Sequence, residues 1–72
     1  MSIEKGIPLT EIWLEKFGFK GIGIGGRTFI LDNGINKFRI EFFDYMFYLE
    51  INDNLYMKEL KYAYQLQELI NQ

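Results

Sequence analysis

The stretch Asn36-Lys37-Phe38-Arg39-Ile40-Glu41-Phe42-Phe43-Asp44-Tyr45-Met46-Phe47-Tyr48-Leu49-Glu50-Ile51 decides the fold. Both of its arms alternate apolar and polar residues with the period of two that marks a half-buried strand. Folding the arms back at Asp44-Tyr45 sets Phe42 opposite Phe47, Ile40 opposite Leu49 and Phe38 opposite Ile51, all on one face. The other face then pairs Arg39 with Glu50 and Glu41 with Tyr48, and brings Phe43 beside Met46. A slip of one residue would press charges into the apolar row, so burial of one face specifies this register. Tyr45 suits a tight primed turn poorly; a four-residue loop over Phe43 to Met46 keeps the same pairs.

Outward from this hairpin, Asp32-Asn33-Gly34 is a strong turn signal. Closure at Asn33-Gly34 sets Phe29 opposite Phe38 and adds Phe29 and Leu31 to the apolar face. On the other side, Asn52-Asp53-Asn54 reads as a three-residue turn, with Asn54 tolerating a left-handed backbone. This choice sets Ile51 against Leu55 and Leu49 against Met57 in a strand running from Leu55 to Leu60. Before the sheet, Thr10 is placed to cap a short helix, with Glu11 at its positive end. Leu9 and Leu14 are spaced as a hydrophobic staple, Trp13 and Phe17 share a face as core anchors, and Gly18 supplies the stop. Met1 to Ile7 reads as a frayed arm or a short edge segment. Over Lys61 to Gln72 the period changes, and Tyr62, Leu66, Leu69 and Ile70 form one helical stripe beside Ala63. The expected fold is one α+β domain over residues 1–72: an antiparallel β-meander of four to five strands, with an N-terminal and a C-terminal helix packed on one face.

Gly21, Gly23 and Gly26 match the dinucleotide fingerprint G-x-G-x-x-G, which needs a preceding strand, a following helix and a parallel βαβ unit. Here the strand-like Arg27-Thr28-Phe29-Ile30-Leu31 follows, and the chain is too short for that domain. The glycines read instead as a hairpin at Gly25-Gly26, as bulges, or as a flap. With no cysteine and no histidine among 72 residues, a disulfide framework, a thiolate zinc site and a histidine base are excluded. The core must come from apolar side chains, which 49% hydrophobic and 18% aromatic content supplies. No cofactor is expected, no run has the length of a membrane span, and the first residues lack the basic and apolar regions expected of a signal peptide. The chain thus reads as soluble and intracellular.

Net charge is −2, but it is polarised along the chain. Residues 16–39 carry Lys16, Lys20, Arg27, Lys37 and Arg39 against Asp32, a local excess of four positive charges. Residues 40–72 carry an equal excess of negative charge, from six acidic residues against Lys58 and Lys61. Ordinary solvated charge explains such mixing; a local polyanion site is the sharper alternative. The face away from the helices is expected to show Phe43, Met46 and Leu60 clustered at one end, with Tyr48 across from Lys58 and Glu50 across from Tyr56. An apolar cluster with a tyrosine-rich surround has the make-up of a protein interface. Arg27, Lys37, Arg39, Phe43, Met46, Tyr48, Tyr56 and Lys58 are therefore the candidate partner-binding residues. Aromatics flanked by Lys37, Arg39 and Lys58 also supply the ingredients of an RNA stacking platform, although Glu41 and Glu50 lie in the same field. Nothing in the pattern presents an activated nucleophile, so an enzyme is not expected.

Two motifs, Ile7-Pro8-Leu9-Thr10-Glu11-x-Trp13-Leu14-x-Lys16-Phe17-Gly18-Phe19 and Tyr62-x-x-Gln65-Leu66-Gln67, stand one at each end of the chain. In that order, around an aromatic strand hairpin, they resemble a group of short proteins from phages and integrated elements of Bacteroidetes-type bacteria. The chain departs from that group in its glycine-rich stretch and in the short run after Gln67. Within phage-borne binders it is also similar in size and style to anti-CRISPR proteins. The resemblance implies a bacterial cytoplasm and a host partner, such as a CRISPR effector nuclease or its guide RNA, and it carries over no site residues. A stand-alone RNA-binding module and a self-associating phage component, the latter a homodimer through the open sheet face, are the alternatives.

Overall fold

The computed structural model describes residues 3–23 and 27–71. Its elements follow in the order α1 (Glu11–Phe17), β1 (Lys20–Ile22), β2 (Thr28–Asp32), β3 (Lys37–Phe43), β4 (Met46–Ile51), β5 (Asn54–Met57) and α2 (Ala63–Ile70). The five strands form one antiparallel sheet in sequence order. This is the expected α+β meander with a helix at either end, and β1 makes the fifth strand. A hairpin at Gly25-Gly26 lies outside the described residues.

The β3–β4 pairs are those read from the alternation, Phe38↔Ile51 through Phe42↔Phe47. Their turn is the tight two-residue form, with both Asp44 (φ 54°) and Tyr45 (φ 61°) left-handed. The primed turn matches the twist of the strands it joins, and that match overrides the poor fit of tyrosine. At β2–β3 the expected pair Phe29–Phe38 is not formed; Phe29 faces Ile40 and Leu31 faces Phe38. Four loop residues replace the expected two. Asn33 Oδ1 accepts from the N–H of Ile35 and of Asn36, and Asp32 Oδ1 from Gly34 N–H. Those side chains satisfy a wider loop than the two-residue turn needs. Because the shift is even, Phe29 and Leu31 keep their face.

After β4 the turn is Asn52-Asp53, both at positive φ, rather than the three residues expected. Ile51 therefore faces Asn54 instead of Leu55, and Leu55 instead of Tyr56 stands across from Glu50; an irregularity at Leu49/Glu50 restores Leu49↔Met57. β5 ends at Met57, and Leu60 N–H next donates to Phe47 O at 3.0 Å. One residue more than regular pairing allows separates these contacts, so Leu60 swings to the core side. It is buried, not clustered with Phe43 and Met46.

The core joins Phe29, Phe38, Ile40 and Leu49 from one sheet face to Leu14 of α1, Ala63 and Leu66 of α2, and Leu9, Phe19 and Leu60. Leu31, Phe47 and Ile51 pack at its margin, and so do Trp13, Phe17, Leu69 and Ile70. Thr10 Oγ1 accepts from Trp13 N–H at 3.4 Å, as expected of the cap. At the other end of α1, Gly18 is left-handed (φ 101°), and Phe19 N–H returns to Leu14 O at 3.0 Å. A Cβ at Gly18 would meet only Leu31 Cδ1, at 3.5 Å. Gly18→Ala should therefore cost about 1 kcal/mol through the backbone alone. A fall in the urea midpoint at unchanged slope is the expected reading.

Of the two expectations for the first residues, a frayed arm or a short edge segment, residues 3–7 fit the second, and Met1 and Ser2 lie outside the described residues. Pro8 bridges Tyr62, Leu9 N–H donates to Lys61 O at 2.8 Å, and Ala63 N–H donates to Ile7 O at 3.1 Å. Gln67 Oε1 accepts from Ile3 N–H, and Ile3 and Ile7 pack on the core. Gln65 turns back over the start of α2, its Oε1 accepting from the N–H groups of Lys61 and Tyr62. The end motifs are thus explained by this seam and by the caps of the helices.

Candidate functional site

Side chains alternate across a strand, so the register fixes what the helix-free face carries. One row across the sheet reads Lys20, Ile30, Arg39, Glu50, Leu55, and the next reads Ile22, Thr28, Glu41, Tyr48. Phe43 and Met46 form a third row beside the turn. Phe43 is 65% exposed, and Ile22 and Leu55 are also exposed.

At the centre of this face Arg39 donates to Glu41 Oε1 at 2.6 Å and stands 3.8 Å from Glu50 Oε1. Its Nε is enclosed and has no hydrogen-bond partner. One guanidinium is shared by two carboxylates, so it offers little free charge to a polyanion. Including Lys20, Lys37 and Asp32, the face carries three basic and three acidic groups. Around the triad the apolar groups Ile22, Ile30, Phe43, Met46, Tyr48 and Leu55 are distributed over both ends.

Of the candidate residues, Lys37, Arg39, Phe43, Met46 and Tyr48 share this face, and the other three do not. Arg27 lies on the helix side, lining a cleft with Leu9, Thr10 and Phe29, and its carbonyl accepts from Phe42 N–H at 2.8 Å. Tyr56, displaced by the irregularity in β5, borders a groove with Met57, Tyr64 and Leu69 beside α2. Lys58 falls beyond the end of β5 and is not in register with Tyr48.

No family model, curated protein or solved structure matches this chain. The geometry and the residue types therefore carry the functional argument.

A second feature escaped the sequence reading. Phe42 was expected under the helices, yet it is 37% exposed. It stacks in tilted fashion on Phe47, with ring centroids 4.9 Å apart. This end of the sheet opens on a cleft of about 500 Å³, lined by Leu9, Thr10 and Glu11 at the start of α1 and by Arg27, Phe29, Phe42 and Phe47. A smaller hollow lined by Arg27, Phe42, Asp44 and Tyr45 adjoins it through two shared residues. Among the described residues, no helix is long and apolar enough to cross a membrane.

Proposed function

We propose that this chain is a binding protein, not an enzyme, and that its helix-free sheet face docks on a host protein and blocks it. The observation that carries the reading is the composition of that face: exposed apolar side chains around an arginine already neutralised by two carboxylates. Interfaces place apolar and aromatic groups among paired charges in this way. An RNA platform needs uncompensated cations beside its aromatics, and Arg27 and Lys58 stand off the face. A protein surface is thus favoured over the guide RNA. The resemblance to phage proteins supports a bacterial host partner in the cytoplasm, a defence factor such as an RNA-guided CRISPR nuclease.

Co-expression with such nucleases in a plasmid-interference assay should rescue the target plasmid, and affinity capture should recover the nuclease. The double variant Phe43→Glu, Tyr48→Ser should lose this binding by about 100-fold, the scale of a central aromatic pair, with thermal stability nearly unchanged. Absence of rescue with every nuclease tested, or full rescue by the double variant, overturns the reading. Titration with short RNA at low salt should stay flat.

A further inference from the structure

Tyr45 stands where a tyrosine is least at home. Its φ of 61° is left-handed, a conformation that bulky residues rarely hold without a functional reason. Its side chain is 92% exposed at the tip of the β3–β4 hairpin. Asn-Gly would make the same turn with less strain, so the fold itself does not call for this ring. Beside it lies the apolar cleft over Phe29, Phe42 and Phe47. The hollow lined by Arg27, Phe42, Asp44 and Tyr45 joins the ring to the cleft. Neither Arg27 nor Asp44 forms an ion pair among the described residues.

We propose that this tip and cleft form one self-complementary patch through which two copies of the chain associate. The Tyr45 ring of each copy enters the Phe42–Phe47 cleft of the other, and Arg27 of each pairs with Asp44 of the other. A two-fold contact requires knob and hole on the same patch, each facing its counterpart, and here they are neighbours with opposite charges between them. Thr10 and Glu11 line the same cleft, so the phenol hydroxyl meets an acceptor when its ring is on the phenylalanines. This is the arrangement a buried tyrosine needs. The patch is small, so the dimer is weak, with a dissociation constant on the order of 10–100 μM. Phe43, Met46 and Tyr48 point to the opposite side of the sheet, which leaves the host-docking face free.

Sedimentation velocity from about 5 to 500 μM tests this, spanning the affinities of small interfaces. The wild-type chain should shift from monomer to dimer across that range. Tyr45→Gly should weaken the dimer at least tenfold while raising the melting temperature by roughly 3–6 °C, because the turn is relieved. Arg27→Asp and Asp44→Arg should each weaken association, and the double variant should restore it, all three checked for folding by circular dichroism. A monomer throughout the range, a dimer indifferent to Tyr45→Gly, or a double variant no better than the single ones overturns the proposal. Host binding by Tyr45→Gly, and dimerisation by the Phe43/Tyr48 variant, keep the two surfaces separately testable.

Discussion

Leu60→Asp should leave the protein unfolded at room temperature, whereas Phe43→Asp should shift the melting temperature by no more than a few degrees. The sequence pattern puts both residues on the open face, and the structure separates them. Leu60 is 2% exposed and belongs to the core. An aspartate there loses about 2 kcal/mol of apolar burial and buries a carboxylate among apolar side chains, at a cost of several kcal/mol more. A domain of this length has roughly 4–10 kcal/mol in hand, so the two effects together exhaust it. Far-ultraviolet circular dichroism of the two variants decides the matter. A folded Leu60→Asp would place Leu60 outside the core.

Deleting residues 1–7 should lower stability by about 3 kcal/mol. The deletion removes the packed Ile3 and Ile7 side chains, each worth about 1 kcal/mol when half-buried. It also strips Ala63 N–H of its acceptor, the Ile7 carbonyl, and an unsatisfied donor at a helix start costs about 1 kcal/mol more. With a slope near 1 kcal/mol per molar for so small a chain, the urea midpoint should fall by about 3 M. An arm that merely frayed would leave the midpoint where it was.

The contrast between these residues shows what alternation can and cannot convey. The β3–β4 pairing was legible because both arms carry continuous apolar rows, and a slip of one residue is penalised at every position. At β2–β3 a shift of two residues preserves every face, so pattern alone cannot tell Phe29↔Phe38 from Phe29↔Ile40; the side-chain bonds of Asp32 and Asn33 make the choice. Beyond Met57 one extra residue inverts the parity. Leu60 then crosses to the core, and Lys58 leaves the ladder. For the candidate site, the cluster of Arg39, Phe43, Met46 and Tyr48 followed from register and was readable. Arg27 was readable too: two residues before Phe29, it falls by parity on the apolar side, and grouping it with the open face on charge alone overlooked that. The cleft was hidden because alternation assigns a residue to a face and says nothing of how closely the start of α1 lies over that face.

The Pro8–Tyr62 bridge joins segments more than fifty positions apart, and it ties together the residues that lead into α1 and α2. Closing so long a loop costs entropy, and the cost is smaller once the strands between are already paired. The meander has local pairings at its central hairpin, whereas this clasp adds a long-range tie beside the core packing of Leu14, Ala63 and Leu66. Anything that pries the ends apart would disturb the starts of both helices at once, beginning beside Leu9, which also lines the Phe42–Phe47 cleft.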